Sequence, residues 1–528
     1  MSWDNEHGRR TFLTISAGGI ATFLVACGDD TIAGTGTDGG SSSGGTSGSP
    51  TTDDPGSTTA IDPTVQTQGV TTDPDGSGST ASEDESSSEG TDTDDPPLDC
   101  EPEGELIDWE PAAVALDEAI FPLAVMSGEM RPESAMFTIY VPDGAPKTFR
   151  LWIPAEKDGQ VHLIDERTVE PNGAGFVKFT VDGLCPGTWY EYGYFAGDGD
   201  FTARSRIGHV RTAIAEDALE PLVVALASCC GDSLDWPALG VTNQEYYDVF
   251  LHLGDMAYND GAETLSEYRA SWRMWMSTPD YRNVFSNSGM YATWDDHEID
   301  DNSNFDRETM DPAELLRRQN AMDAYFELLP IEAEGPDYRL WRSFRWGLTA
   351  EIIVLDCRYE RRPSQGTYIS DEQFAFLEDR LANSPCHFKI VMNSVPATQM
   401  PPQWDIIGAD DRWTGFPDAR ARLRDFINEQ DIDNVWFVSG DFHVTFLSRL
   451  EPQGDDNWSR VREIAVASGN ENPVPNSLLG LTTPQFDYGI NEVRACLLEF
   501  DPETNTVTLR FIRPNGDDAY FVEMTYGQ

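Results

Sequence analysis

The chain has 528 residues, of which 92 are Asp or Glu and 35 are Lys or Arg, for a formal net charge of −57. This charge repels the phosphate backbone of DNA and RNA, so stable nucleic-acid binding is not expected. The 14 Trp and 26 Phe residues can fill a large hydrophobic core, which excludes a small disulfide-stapled scaffold.

The first 27 residues have the features of a bacterial export signal. Arg9 and Arg10 precede an apolar run that is too short to span a bilayer as a stable anchor. The run ends in LVAC at residues 24–27, a pattern that resembles a lipobox, in which Cys27 is lipidated. We therefore expect residues 1–27 to direct twin-arginine export. We also expect Cys27 to anchor the protein at the cell envelope, on the periplasmic or outer surface.

A long polar segment separates this signal from the rest of the chain. Residues 28–103 are rich in Gly, Ser, Thr, Asp and Pro and contain no Lys or Arg. Such a composition cannot bury enough apolar surface to offset the loss of chain entropy on folding. We expect a disordered acidic linker here.

The eight cysteines leave several pairings open. Lipidation of Cys27 would leave seven, an odd number, so at least one thiol has another use in an oxidising compartment. If Cys229 binds a metal ion, six cysteines remain for up to three disulfides, and buried unpaired thiols are the alternative. These six are Cys100, Cys185, Cys230, Cys357, Cys386 and Cys496.

Residues 104–214 have the pattern of a small all-β domain. Apolar and polar residues alternate over short runs, as at 136–141 and 149–153, and Pro, Gly and Asp separate the runs. Alternation of this kind is typical of antiparallel strands in a sandwich. The segment 183–192 resembles a corner of fibronectin-type and immunoglobulin-like domains. We predict an N-terminal β-sandwich over 104–214.

The remaining residues, 219–528, alternate strand-like and helix-like patterns, which predicts an α/β domain. Helical patterns lie at 371–381 and 418–427. Ligands in such folds bind at the carboxyl ends of strands, so the residues that follow the strands are the candidates for function. The strand-like runs are 223–227, 249–253, 290–294, 352–355, 390–392 and 435–438.

Five of these strand ends carry side chains that can bind metals or transfer protons. They are Cys229 after the first run, Asp255 and Tyr258 after the second, Asp296 and His297 after the third, Asn393 after the fifth, and Asp441 and His443 after the sixth.

These motifs resemble the calcineurin-like metallophosphoesterases and, within them, the PhoD-like alkaline phosphatases. The resemblance rests on FPLAVMSGE at 121–129, HLGD at 252–255, WDDHE at 294–298, LDCR at 355–358 and SGDFH at 439–443. It implies a four-layer catalytic domain, in which helices flank two β-sheets. The implied activity is exported alkaline phosphatase activity on small phosphate esters, by attack of a metal-bound hydroxide at a dinuclear centre.

The donor types suggest two unlike metal sites. Thiolate, phenolate and imidazole at Cys229, Tyr258 and His443 suit a transition metal such as Fe(III), with Asp255 as a shared carboxylate. The oxygen donors of Asp296, Asn393 and Asp441 favour Ca²⁺ or Mg²⁺. The resemblance implies Fe(III) with one or two Ca²⁺ ions. Mn²⁺, Mg²⁺ and Zn²⁺ are the alternatives.

Three residues are assigned to catalysis. Asp255 bridges the metals, His297 donates a proton to the leaving oxygen or stabilises the charge that develops there, and Arg358 holds the phosphoryl oxygens. Arg361 is a further candidate for the role of Arg358. Some alternatives stay open: Cys230 as the thiol ligand in place of Cys229, and Arg358 as a structural salt bridge.

Other readings of the site residues and of the function also stay open. Tyr258 could be a core residue, and Asn393 could only orient a loop. Trp272, Trp275, Trp404 and Trp413 line the mouth of the site or belong to the core. The second functional candidate is a phosphodiesterase or phospholipase acting on nucleic acid, wall polymer or lipid head groups. The third is a non-catalytic surface module. We expect a monomer.

Overall fold

A computed structural model describes residues 100, 102, 104–197, 199–231, 233–301, 306, 309–332, 338–406, 411–452, 454 and 456–526. All of them belong to one compact unit, Thr93–Gln528. The predicted export signal, with Arg9, Arg10 and Cys27, lies outside the described residues, as does nearly all of the predicted linker. Within the described ranges, every helix is too short or too polar to cross a bilayer.

The described chain contains 22 strands. The strands are β1 (Glu105–Asp108), β2 (Met126–Arg131), β3 (Ser134–Tyr140), β4 (Lys147–Pro154), β5 (Gln160–Val169), β6 (Phe176–Asp182), β7 (Trp189–Ala196), β8 (Ala203–Arg204), β9 (Gly208–Arg211), β10 (Leu222–Ala227), β11 (Val249–His252), β12 (Met290–Ala292), β13 (Arg342–Trp346), β14 (Ala350–Val354), β15 (Phe388–Met392), β16 (Val435–Ser439), β17 (Thr445–Arg449), β18 (Arg462–Ala465), β19 (Phe486–Ile490), β20 (Ala495–Asp501), β21 (Thr506–Ile512) and β22 (Asp518–Thr525).

Three of the described helices begin at a side-chain cap. The side chain of Asp311 accepts hydrogen bonds from the backbone at the start of α4, and Ser370 does the same for α5. The predicted helices at 371–381 and 418–427 correspond to α5 and α6 and are confirmed. The helices are α1 (Pro237–Thr242), α2 (Leu265–Met276), α3 (Pro279–Asn287), α4 (Pro312–Leu328), α5 (Asp371–Asn383), α6 (Pro417–Glu429) and α7 (Asn476–Leu479).

The strands form three sheets. Sheet I has nine strands in the order β22-β21-β20-β10-β11-β12-β2-β3-β6, and sheet II has seven in the order β13-β14-β15-β16-β18-β17-β19. Sheet III has the order β1-β5-β4-β7-β8, with β9 also paired to β7. The strands β10, β11 and β12 are parallel, as are β14, β15, β16 and β18. The six strands predicted in 219–528 are all present, and the mixed α/β fold is confirmed.

Alternate residues of the parallel strands face opposite sides, which explains the layers of the fold. Leu226 of sheet I and Ile352 of sheet II share one hydrophobic core, so the two sheets pack face to face. Residues on the opposite faces of the two sheets pack against helices. Phe250 of sheet I lies in a cluster with residues of α1 to α4, and Ile353 of sheet II lies in a cluster with residues of α5 and α6.

Four tryptophans flagged by the sequence belong to these packed layers. Trp272 and Trp275 lie in the core cluster outside sheet I, Trp413 in the one outside sheet II, and Trp404 in a smaller cluster. All four are buried. They are core residues and do not line the mouth of the site.

Residues 104–214 form strands, but these strands do not make a self-contained pair of sheets. Sheet III is built wholly from this region, with β1, β4, β5, β7, β8 and β9. The other three strands, β2, β3 and β6, extend sheet I, where β2 pairs in parallel with β12. The predicted boundary between 104–214 and 219–528 therefore runs through a continuous sheet.

One disulfide forms among the described cysteines, between Cys100 and Cys185. Cys229, Cys230, Cys357, Cys386 and Cys496 are unpaired and buried. Of the three disulfides that the cysteine count permits, the described residues therefore form one.

A buried ion pair joins sheets I and II. Arg342, at the start of β13, donates from Nε to Oε1 of Glu129 in β2 at 2.9 Å, and both side chains are buried. Its other nitrogens donate to the carbonyl oxygens of Leu340 and Ala292. The two charged groups therefore depend largely on each other for compensation, because their side chains are only 8% and 6% exposed.

We predict that Arg342→Met lowers the free energy of unfolding by about 3 kcal/mol, because it leaves Glu129 buried without its ion-pair partner. Urea unfolding followed by circular dichroism measures the change. The matched control is Arg424→Met, which removes an exposed guanidinium paired with Asp425 and should change the stability by less than about 0.5 kcal/mol. Equal effects of the two substitutions would contradict the prediction.

Candidate metal centre

The candidate site lies where parallel strands of both sheets end. Cys229 follows β10, Asp255 follows β11, Asp295 and Asp296 follow β12, and Asp441 follows β16. Parallel strands present their carboxyl ends at the same edge of a sheet, so residues far apart in sequence meet there.

The ligand atoms converge into three overlapping groups. Cys229, Asp255 and His443 form one group, Asp255, Asp296 and His297 the second, and Asp255, Asp295, Asp296 and Asp441 the third. Within each group the donor atoms lie within 4.8 Å of one another. Asp255 belongs to all three groups, as expected for a carboxylate shared by two cations.

The turns that carry these ligands have an unusual backbone. Cys229, Asp255, Asp441 and His443 have φ angles of 55°, 54°, 68° and 52°. Residues other than glycine rarely adopt this left-handed region, and such conformations concentrate at functional sites. Only five other non-glycine residues of the described chain have a positive φ, so the strained backbone is concentrated at the candidate site.

Two glycines allow the turns of the candidate site to pack closely against each other. A Cβ atom on Gly231 would lie 2.3 Å from the ring of Tyr258, and one on Gly440 would lie 2.4 Å from Oγ of Ser228. Both contacts are shorter than atoms tolerate, so only glycine lets these turns approach each other.

The carboxylates carry negative charge that the protein does not fully compensate. Oδ1 of Asp255 and Oδ2 of Asp441 are buried and accept no hydrogen bond from the described residues. Burial, with the neighbouring carboxylates, raises the pKa of Asp255 and of Asp441 well above the usual range. Burial raises the pKa of Asp296 to about 6. Bound cations would supply the missing positive charge, so the residues present fit a metal centre.

The imidazole of His443 and the phenol oxygen of Tyr258 lie next to each other in the candidate site. Nε2 of His443 lies 3.2 Å from Oη of Tyr258, and Nδ2 of Asn470 donates to that oxygen at 2.9 Å. Burial lowers the pKa of His443 to about 4, which keeps the imidazole neutral and able to bind a metal. Tyr258 is thus beside the other proposed ligands, as predicted, and its ring stacks on His297 at 3.8 Å.

His297 is oriented by a carboxylate that follows the same β11 turn as Asp255. Its Nδ1 lies 2.9 Å from Oδ1 of Asp260. Burial alone would lower the pKa of His297, but the carboxylates of Asp255, Asp260 and Asp296 outweigh it and raise that pKa to about 11. These carboxylates favour the imidazolium form of His297, which is the form that can donate a proton.

Comparison with known proteins assigns the chain to a family. The model of the PhoD-like phosphatases matches residues 224–496, just over half of the chain, and this range contains every candidate ligand. The chain belongs to the PhoD-like phosphatase family. It is therefore a phosphoric ester hydrolase, and the resemblance inferred from the motifs is confirmed.

Individual relatives agree with this assignment. Alkaline phosphatase D of Bacillus subtilis (strain 168) is 27% identical over 403 residues, which cover 65% of this chain and 67% of that protein. The solved structure of PhoD superposes with a TM-score of 0.65 at 20% identity, covering 77% of this chain and 89% of PhoD. The purple acid phosphatase PPD1 from yellow lupin seeds gives 0.55 at 14% identity, covering 77% and 75%. The two structures show a shared fold.

The sequence predicted that Arg358 of this PhoD-like phosphatase holds phosphoryl oxygens, whereas in the structure it pairs with carboxylates. Its guanidinium is buried and donates to Asp295, Asp296 and Asp411. Arg361 donates to the same Asp411 carboxylate, at 2.6 Å. In this arrangement both side chains neutralise carboxylates, which is the structural salt bridge that the sequence left as an alternative.

Asn393 also has contacts that compete with its predicted role as a metal ligand. Its Oδ1 accepts hydrogen bonds from Sγ of Cys357 at 2.7 Å and from Nε1 of Trp413 at 3.3 Å. Its Nδ2 donates to the carbonyl oxygen of Val395. A carbonyl-type oxygen has two lone pairs, and both are used here, so in this arrangement Asn393 anchors the loop after β15, which is the alternative that the sequence left open.

Four residues of the site were not assigned these roles from the sequence. Asp295 joins the carboxylate group as a candidate ligand, Asp260 orients His297, and Asn470 contacts Tyr258. The fourth, Glu298, is buried and accepts from the backbone N–H groups of Asp255, Met256 and Asp295. The acidic run around WDDHE was a visible signal for Asp295 and Glu298, but their directions depend on the fold.

We predict that Glu298→Gln weakens metal binding by about 10- to 100-fold. The amide oxygen is a weaker hydrogen-bond acceptor than the carboxylate, and the amide NH2 group would face the backbone N–H groups of the two turns that carry the ligands. Competition with a chelator measures the affinity. Glu372→Gln changes an exposed residue of α5 and is the matched control. Identical affinities of the two variants would be inconsistent with a role for Glu298 in holding the turns.

We predict that Asp260→Asn lowers kcat by about tenfold or more at alkaline pH. The Asp260 carboxylate, bonded to Nδ1 of His297, helps to raise the pKa of His297 and so favours the imidazolium at alkaline pH. Without Asp260 the proton is lost at lower pH, and the alkaline limb of the kcat profile moves toward neutrality. Asp158→Asn, on the exposed surface, should leave the profile unchanged, and an unshifted profile for Asp260→Asn would refute the role of this residue.

Proposed function

We propose that the protein is an exported, metal-dependent alkaline phosphatase that hydrolyses phosphate monoesters, and also diesters, at a dinuclear centre. The observation that carries this proposal is the set of buried carboxylates around Asp255 and Asp441, two of whose oxygens accept no hydrogen bond within the described chain. Such a site is electrostatically incomplete without cations. With cations bound, it attracts a phosphate dianion despite the protein's net charge of −57.

The donors separate into a mixed group and an oxygen-only group. Cys229, Tyr258 and His443 offer sulfur, phenol oxygen and imidazole nitrogen, a combination that suits Fe(III). Asp295, Asp296 and Asp441 offer carboxylate oxygens, which suit one or two Ca²⁺ ions. Asp255 lies in every group and is the proposed bridge.

The chemistry of hydrolysis divides between the metals and the protein. Bound metal ions supply positive charge that attracts the phosphoryl oxygens and lowers the pKa of water. His297 supplies the proton for the leaving oxygen: its Nδ1 is held by Asp260, and its Nε2 lies 3.7 Å from Asp301, beyond hydrogen-bond length. Arg358 keeps Asp295 and Asp296 in place.

The central test replaces Asp255, the shared carboxylate. Asp255→Asn should lower kcat/KM for a chromogenic phosphomonoester by about 10³-fold or more, because both metal positions lose a charged ligand. The exposed Asp158→Asn is the matched control and should retain full activity. Assays with a monoester and a diester in parallel compare phosphatase with phosphodiesterase or phospholipase activity. Undiminished activity of Asp255→Asn on both esters would sink the proposal.

Export and anchoring form a separate part of the proposal. They rest on Arg9, Arg10 and the LVAC motif that ends at Cys27. Cys27→Ser should remove the lipidation site, so the protein should appear in the soluble fraction after cell fractionation. A Cys27→Ser protein that stays with the membrane fraction would contradict lipid anchoring at this residue.

A further inference from the structure

The segment after β18 holds the turns of the candidate site together. The backbone N–H of Ser468 donates to the carbonyl oxygen of Ser228 at 3.0 Å, and that of Asn470 donates to Cys229 at 2.9 Å. Further along, the N–H of Asn472 donates to the carbonyl oxygen of His443 at 2.9 Å. One short segment therefore ties the turn that carries Cys229 to the turn that carries His443.

Asn470 adds a side-chain contact to these backbone bonds. The residue is 4% exposed, and its Nδ2 donates to Oη of Tyr258 at 2.9 Å. Its Oδ1 has no hydrogen-bond partner among the described residues. Because the backbone of Asn470 is fixed to Cys229, the amide has a defined position from which to hold the phenol oxygen.

The ring of Tyr258 is confined on its faces, so its oxygen can meet partners only near the plane of the ring, where Asn470 lies. Gly231 closes one approach, since a Cβ atom there would lie 2.3 Å from the ring. The imidazole of His297 stacks on the ring at 3.8 Å. The phenol oxygen then lies between Asn470 Nδ2 and His443 Nε2, at 2.9 Å and 3.2 Å.

We infer that Asn470 is a positioning residue for Tyr258: its amide directs the phenol oxygen to the point that Cys229 and His443 also face. Asn470 contacts neither cation nor substrate in this role and acts through Tyr258. The inference rests on the proposed metal centre. A hydrogen bond donated to a phenolate oxygen stabilises its electron pairs, so the donor also sets the energy needed to move an electron from phenolate to iron.

The test measures the visible absorption band of the full-length protein loaded with Fe(III), in which a bound phenolate transfers charge to the iron. Asn470→Leu removes the donor at similar size, and Asn470→Asp replaces it with a carboxylate that repels the phenolate. Both variants should shift the band to longer wavelength and speed iron release to a chelator by about tenfold or more. Asn515→Leu, in the exposed hairpin before β22, should match the unaltered protein.

The outcomes separate this inference from the metal proposal. A band that disappears in Tyr258→Phe but keeps its position and release rate in both Asn470 variants would overturn the role of Asn470 alone. An unaltered protein without the band, or a band that survives in Tyr258→Phe, would overturn both. Circular dichroism shows whether each variant folds. Asn470→Asp keeps the size and shape of the side chain, so it tests the inference even if Asn470→Leu does not fold.

Discussion

Four carboxylates in a buried site, Asp255, Asp295, Asp296 and Asp441, set the constraint on which the rest of the structure depends. Like charges at this separation repel strongly where water is excluded, and burial penalises each of them further. Arg358 offsets part of this charge through its buried contacts. Among the described residues, Oδ1 of Asp255 and Oδ2 of Asp441 have no hydrogen-bond partner, so the fold concentrates charge that bound cations would balance.

The fold holds this unfavourable arrangement by fixing the turns from several sides. Glu298 binds the backbone of the β11 and β12 turns, while the segment after β18 binds the β10 and β16 turns. Four of the proposed ligands, Cys229, Asp255, Asp441 and His443, adopt left-handed backbone conformations. Two packed sheets, joined by Arg342 and Glu129, provide the rigid support that such strain requires.

Much of the site could be predicted from the sequence because its residues follow strands directly. Cys229, Asp255, Asp296, Asp441 and His443 each come within four residues of a strand end, and parallel strands bring such ends together. The phenol of Tyr258 was predicted from the family resemblance and lies beside His443. Local pattern and topology were sufficient for this part.

The remaining features depend on contacts between distant segments, which local patterns do not encode. No strand was predicted at β18, which has only four residues and begins with Arg462 and Glu463, so Asn470 was missed. Arg358 was assigned to phosphate because nothing in its neighbourhood indicated Asp411, which lies 53 residues later and meets it only in the fold. The pairing of β2 with β12 likewise joins regions that the sequence suggested were separate domains.

Metal analysis of the full-length protein, purified without chelator, tests the central claim most directly. The account predicts iron together with one or two calcium ions per chain, with phosphoesterase activity that falls when these ions are removed and returns when they are restored. Protein that contains no bound metal and hydrolyses phosphate esters at full rate would contradict it.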